Sequence, residues 1–130
     1  QMITLSLDDI PLAGKESIDM VLTFRNLHNW LKAEILMDVF NKSYDVLKPG
    51  GIFGVVEHRA LPNTTTENMK KSGYVTEKLA KEYAQNAGFI FVSKSEINAN
   101  SKDGISLDCI NNEPPRIAQL TACIVAMCPR

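Results

Sequence analysis

The sequence predicts an α/β fold with a doubly wound, mostly parallel sheet, and three observations support this class. Two short runs rich in apolar and β-branched residues, at 18–24 and 52–56, flank a segment with helical periodicity. A second helical segment follows, and two more apolar runs lie at 89–92 and 122–127. Strands that alternate with helices in this order are typical of a parallel sheet with helices packed on its faces. We expect the 130 residues to form a single domain.

The first half of the chain is predicted to form a β-α-β unit. The run Ile18–Phe24 is nearly continuous in apolar residues, as expected of a strand that is buried on both faces. A helix is predicted to begin after Asn29, its N-cap, and to end at the Lys-Pro-Gly-Gly sequence 48–51. One face of this helix is apolar, formed by Leu31, Ile35, Leu36, Val39, Phe40 and Leu47. The second strand, 52–56, leads into Glu57.

The second half of the chain is predicted to contain one helix and two strands. Residues 61–72 are polar and indicate a surface loop. Apolar residues with helical spacing then lead to a helix end at Gly88; they are Val75, Leu79, Tyr83 and Ala87. Residues 122–127 form a strand paired with the third strand, 89–92, or else part of a buried helix that begins near Pro115. The polar stretch 98–115 indicates a long loop or lid, and residues 2–5 a short strand.

The composition excludes several classes of function. With a net charge of −1, the chain lacks the basic excess typical of proteins that bind a nucleic-acid backbone, which disfavours nucleic acid as its main partner. No apolar stretch reaches the roughly 20 residues that span a bilayer, and no signal-peptide pattern is visible, so a cytoplasmic location is the default expectation. The three cysteines, all in the last quarter of the chain, have neither the number of a disulfide framework nor the spacing of zinc ligands. We expect no metal.

Polar residues follow both central strands, at the edge of a parallel sheet where ligands bind. His28 follows the first strand, and Glu57, His58 and Arg59 follow the second, so that both histidines of the chain lie at one edge. His28 has two interpretations of equal weight: it contacts a cofactor or substrate, or it is a helix-entry residue whose imidazole bonds to a backbone carbonyl. Glu57 and Arg59 should point to the same side and His58 to the other, with a surface ion pair as the alternative to a functional role.

Two asparagines are further candidate site residues, and the sequence lacks the common phosphate-binding and nucleophile motifs. Asn98 and Asn100 share a face if the chain is extended there, and are either ligand-facing lid residues or plain loop residues. The sequence has no G-x-G-x-x-G loop, no Walker-type loop and no G-x-S-x-G nucleophile elbow. Its Gly50, Gly51 and Gly54 precede or enter a strand, whereas a phosphate-binding loop must follow one.

Three stretches resemble the second half of a class I S-adenosylmethionine-dependent methyltransferase. They are the apolar strand at 17–22, the Phe-Arg-Asn-Leu-His-Asn sequence at 24–29, and the segment 44–53, which contains Leu-Lys-Pro-Gly-Gly before a buried strand. Together with Glu-His-Arg-Ala at 57–60 and Ile-Asn-Ala-Asn at 97–100, they are similar to a poorly characterised group of predicted methyltransferases. The resemblance covers about residues 1–100 and the last strand.

The resemblance implies a Rossmann-like sheet of order 3-2-1-4-5-7-6 in which the last strand is antiparallel. The family's first two strands, with its glycine-rich loop and ribose-binding acid, would precede Gln1, so the chain resembles the C-terminal portion of a longer domain. The strand at Ile18–Phe24 would then have an open apolar edge. Cofactor contacts would come from two places: near the adenine from Ser6, Leu7 and Asp8, and beneath the methionine moiety from Phe24, Arg25 and Asn26.

The function implied by this resemblance is transfer of a methyl group from S-adenosylmethionine to a small-molecule acceptor. Candidate bases are His58, Glu57 and His28, in that order, and candidate acceptor contacts are Arg59, Asn98 and Asn100. Because the glycine-rich loop is missing, we expect this chain alone to bind the cofactor weakly or not at all. The alternative is a non-catalytic module that acts through dimerisation, a partner chain or a missing N-terminal half.

Overall fold

A computed structural model describes residues 14–97 and the backbone of the strand at 122–127. The elements in chain order are β1 (Ile18–Phe24), α1 (Leu27–Lys32), α2 (Leu36–Val46), β2 (Leu47–Glu57), α3 (Thr66–Ser72), α4 (Glu77–Ala87), β3 (Ile90–Ser95) and β4 (Ala122–Met127). The predicted strand at 2–5 and the predicted loop at 98–115 lie outside the described residues. So do Ser6, Leu7, Asp8, Asn98 and Asn100.

The four described strands form one sheet in the order β1-β2-β4-β3. β1 and β2 are parallel, and β4 runs antiparallel to both β2 and β3. The α/β class is therefore confirmed, as is the pairing of the last strand with the third. Residues 122–127 do not form the helix that periodicity alone left open. This order matches the 4-5-7-6 part of the sheet that the resemblance implies.

The single helix predicted between the first two strands is two helices. Glu34 adopts a left-handed conformation with φ 61°, which interrupts the helix between Lys32 and Leu36. Leu31 and Leu36 would lie about 140° apart on one continuous helix. The break lets both enter the core, where they are 4% and 2% exposed. Asn29 is not the N-cap, because α1 begins at Leu27.

Two other boundaries differ from the prediction. β2 begins at Leu47, since residues 48–51 form an irregular extension in which Gly50 has φ 78°. The polar segment predicted as a loop contains α3: the Thr65 side chain accepts a hydrogen bond from the Asn68 N–H, and Gly73 ends the helix at φ 77°. Local capping thus forms a helix that buries one large apolar side chain, Met69. The end of α4 at Gly88 is confirmed.

The helices cover one face of the sheet, where the aromatic core lies. Phe40 and Phe53 pack edge to face with ring centroids 5.0 Å apart, and Phe89 stacks on Phe53 at 4.9 Å. On the opposite face of β1, Met20, Leu22 and Phe24 are 53%, 55% and 59% exposed. β1, predicted to be buried on both faces, is therefore buried on one. It is also an edge strand of the described sheet. No helix in the described ranges is long and apolar enough to cross a membrane.

Candidate functional site

The site lies where β1 and β2 end side by side. After Phe24 the backbone turns at Arg25, which has φ 57° and donates its N–H to the Val56 carbonyl at 2.7 Å. α1 begins two residues later, so that His28 lies in its first turn. The turn carries His28 from β1 across to the end of β2. Arg25 and Asn26 themselves are exposed.

Glu57 is the centre of the site. It is only 5% exposed, and its Oε1 accepts a hydrogen bond from the His58 backbone N–H at 2.9 Å. Its Oε2 accepts one from the His28 backbone N–H at 3.3 Å and lies 3.1 Å from Nδ1 of His28. A carboxylate at Nδ1 fixes the imidazole and favours the tautomer in which Nε2 accepts a proton. Nε2 of His28 has no hydrogen-bond partner in the described part of the chain.

The third side of the site comes from the segment between α3 and α4. The Val75 N–H donates to the His58 carbonyl and the Ala60 N–H donates to the Val75 carbonyl, both at 2.9 Å. This bridge brings the Tyr74 ring to 5.2 Å from the His58 ring, at an angle of 37°. It also places Gly73 against His28. His58, although it follows Glu57 directly, therefore packs on an aromatic ring, while His28 contacts the carboxylate.

Arg59 takes different partners from those of Glu57. Its guanidinium donates two hydrogen bonds to Glu96, at 2.7 and 2.8 Å, and a third to Glu77. The Glu96 hydrogen bonds raise the pKa of Arg59 against the opposing effect of burial, and Glu77 adds to them. Burial would raise the pKa of Glu77, but hydrogen bonds from Arg59 and Lys94 lower it below its usual 4.5. The Glu57–Arg59 ion pair considered from the sequence is thus replaced by two separate sets of contacts.

Glu57 and Arg59 nevertheless point to the same side, as alternation predicts, because both line one small cavity. Its other walls include Leu27, Val55 and Thr76, and its volume of about 10 Å³ is about that of one water molecule. It is too small for an acceptor or a cofactor. We expect such a molecule to bind outside this cavity.

The sequence predicted the position of these residues better than their contacts. It placed both histidines, Glu57 and Arg59 at one edge, and the structure brings His28, Glu57 and His58 together. Sequence reasoning missed Gly73 and Tyr74, which lie between the loop predicted at 61–72 and the helical pattern predicted from Val75. It also missed the Thr23 hydroxyl, which is buried with no hydrogen-bond partner among the described residues. No cluster of metal-ligating side chains is found in the part of the chain that the structure describes.

The cofactor named by the resemblance fits the described residues only in part. Phe24 presents an exposed aromatic ring at the end of β1, next to the turn formed by Arg25 and Asn26. This surface suits one end of an extended ligand. None of the strands β1, β2 or β3 is followed by a glycine-rich turn, so the described residues offer no cradle for the rest of the cofactor.

Many solved structures share this fold, and three of them illustrate the likeness. A Haloferax volcanii protein assigned as a methyltransferase, in complex with the activator Trm112, has a TM-score of 0.63 and 17% identity over 95% of this chain and 59% of that chain. An S-adenosylmethionine-dependent methyltransferase from Methanosarcina mazei has a TM-score of 0.60 and 13% identity over 88% of this chain and 60% of that chain. The 4+2 cyclase SpnF has a TM-score of 0.64 and 17% identity over 90% of this chain and 53% of that chain. No protein-family model and no curated protein matches the sequence.

The chain therefore has the fold of class I S-adenosylmethionine-dependent methyltransferases, as the sequence predicted. It spans between 53% and 60% of the length of the three structures named above. One of them is a cyclase, so the fold alone does not define the reaction. A functional assignment has to come from the residues of the site.

Proposed function

We propose that the protein transfers a methyl group from S-adenosylmethionine to a small-molecule acceptor that loses a proton to His28. The observation that carries this proposal is the His28–Glu57 pair, with Nδ1 and Oε2 3.1 Å apart, at the ligand-binding edge of a methyltransferase-like sheet. The pair makes His28 the first candidate base in place of His58. Phe24, Arg25 and Asn26 form the part of the surface that would hold the methionine end of the cofactor.

The chemistry needs little more than positioning and one proton acceptor. S-adenosylmethionine, when bound, supplies an electrophilic methyl group on a positively charged sulfur. The acceptor's lone pair forms a bond to the methyl carbon as the carbon–sulfur bond breaks, and the acceptor's proton passes to Nε2 of His28. Glu57 holds the imidazole by Nδ1 and stabilises the imidazolium ion that results.

The test uses the complete protein with His28→Gln and His58→Gln as a matched pair. Formation of S-adenosylhomocysteine is followed with a panel of phenols, thiols and amines. We expect His28→Gln to lower the turnover rate roughly 100-fold with an unchanged affinity for S-adenosylhomocysteine, and His58→Gln to have a small effect. Full turnover by His28→Gln would refute its role as base. Failure of the complete protein to bind S-adenosylhomocysteine would refute the function.

For the 130-residue chain alone we expect weak binding or none, because no glycine-rich turn follows β1, β2 or β3. Calorimetric titration with S-adenosylhomocysteine measures this directly. Binding with a micromolar or lower Kd would show that residues 1–130 complete the pocket by another route.

A second candidate function is favoured by the exposed apolar face of the sheet. Met20, Leu22 and Phe24 on β1 and Ile90 and Val92 on β3 are between 51% and 59% exposed. Such a face, next to an edge strand, is typical of a surface that pairs with another chain. In this alternative the chain is a module that acts through dimerisation or a partner. Light scattering tests the dimerisation half of this alternative, because a stable monomer at high concentration contradicts self-association.

A further inference from the structure

Arg59 joins three elements at the edge of the sheet where the site lies. It follows the end of β2 by two residues, and its guanidinium donates two hydrogen bonds to Glu96, directly after β3. A further hydrogen bond goes to Glu77, the first residue of α4. The Arg59 side chain is only 16% exposed. Because two parallel N–H groups bond one carboxylate, the guanidinium has a fixed orientation that a single point charge would not have.

Arg59 lies in one of two chain segments that are bonded to each other. The first segment is the extension of β2, residues 58–60, and the second is the linker between α3 and α4, residues 73–76. Two backbone hydrogen bonds of 2.9 Å join the extension to Val75 in the linker. The Arg59 side chain adds a second connection at Glu77, where the linker ends. The two segments are therefore held together once by backbone and once by side chain.

Both segments reach the pair formed by His28 and Glu57. In the extension, the His58 N–H donates to Oε1 of Glu57 at 2.9 Å. In the linker, Gly73 borders the imidazole, since a Cβ atom built on it would have its three nearest atoms in the His28 ring, at 3.5–3.8 Å. One segment thus holds the carboxylate and the other borders the ring. The alignment of the pair depends on how the two segments are fixed to each other.

We propose that Arg59 is a positioning residue for the His28 base, which it aligns by fixing the extension against the linker. This inference rests on the proposed function. The role replaces the acceptor contact that the resemblance implied for Arg59, because its guanidinium is engaged by two carboxylates. A misplacement of about 1 Å in a catalytic group costs about 100-fold in rate, so a partial displacement of the base is measurable.

Arg59→Gln and Lys94→Gln form a matched pair of variants. Both remove a positive charge that is hydrogen-bonded to Glu77, but Lys94 lies on β3 and belongs to neither segment. Without Arg59, Glu77 keeps Lys94 at 3.2 Å and Lys81 at 3.6 Å, so no buried carboxylate is left without a cation. We therefore expect both variants to fold, which thermal unfolding followed by circular dichroism verifies.

The first experiment follows the ring resonances of His28 by NMR in the complete protein, without cofactor or acceptor. The signals are assigned by comparison with His28→Gln. We expect Arg59→Gln to shift the His28 resonances and Lys94→Gln to leave them unchanged. Unshifted resonances in Arg59→Gln would overturn the proposal. Equal shifts in the two variants would also overturn it, because the lost charge near Glu77 would then be a sufficient cause.

The second experiment measures methyl transfer by the same variants. We expect Arg59→Gln to lower the turnover rate about tenfold with an unchanged affinity for S-adenosylhomocysteine, and to have no further effect in a His28→Gln background. An equal loss in both backgrounds would show that Arg59 acts on the fold as a whole, which would overturn the proposal. Shifted His28 resonances in Arg59→Gln, together with a wild type that transfers no methyl group, would refute the proposed function alone and leave the alignment of His28 by Arg59 standing.

Discussion

Replacing Glu57 by glutamine should destabilise the fold although the side chain keeps its size. The carboxylate accepts three hydrogen bonds, from the backbone N–H groups of His28 and His58 and from Nδ1 of His28. An amide has one acceptor oxygen, so in either orientation its NH₂ group faces a backbone donor. One buried bond is lost and one donor is left unsatisfied, which costs about 1–3 kcal/mol. Glu57→Ala removes all three bonds and should cost roughly 2–4 kcal/mol.

The control is Glu67→Gln on α3, where the carboxylate is 70% exposed and contacts Lys71 at 3.6 Å. Exposed pairs of this kind contribute little, so the free energy of unfolding should change by less than about 0.5 kcal/mol. Urea unfolding is followed by the fluorescence of Trp30, the one tryptophan of the chain, which lies in α1 beside the site. If Glu57→Gln unfolds at the same urea concentration as Glu67→Gln, the hydrogen bonds of Glu57 do not support the fold.

Three further predictions concern acid stability, a helix end and the cofactor surface. The pKa of Glu77 is lowered in the folded state, so its contribution to the free energy of unfolding is fully present above about pH 4.5 and is lost as the pH falls through the lower, folded-state pKa. Glu77→Gln should therefore make the free energy of unfolding less dependent on pH in this range, whereas Glu82→Gln should not. Urea denaturation at a series of decreasing pH values measures this. Gly88→Ala should lower the thermal midpoint, because its Cβ would lie 2.9 Å from the tyrosine ring of α2 at φ 108°. Phe24→Ala should weaken S-adenosylhomocysteine binding by the complete protein about tenfold with little loss of stability, and Met20→Ala should not, as calorimetry can measure.

The strands were predictable because a strand needs only a short apolar run between turn signals, whereas their order came from the resemblance to the methyltransferase family. The break between α1 and α2 was not. Glu34 takes the left-handed conformation that sequence rules assign to glycine or asparagine, and it does so because the core requires Leu31 and Leu36 on one side. The short α3 was missed because local capping, and not packing in the core, defines it. It depends on its two capping residues, Thr65 and Gly73, and has no apolar period to reveal it.

The candidate site was predictable as a place and not as a set of contacts. Parallel strands end at the same edge of a sheet, which is sufficient to bring His28 and Glu57 near each other. Which histidine meets the carboxylate depends on the register of β1 against β2, in which Phe24 lies beside Val56. It also depends on the turn at Arg25, which directs the chain across the end of β2. Neither is encoded in a local pattern.

The alternation of side chains at the end of β1 separates a buried surface from an exposed one. Thr23 points to the helix-covered face, the side on which Glu57 holds His28, and its hydroxyl is buried. Phe24 points to the open face, where it is exposed. One strand end thus carries a buried hydroxyl on one side and an exposed aromatic ring on the other. Under the proposed function, the cofactor would be held on the Phe24 side, and the acceptor would have to reach His28 around the same strand end.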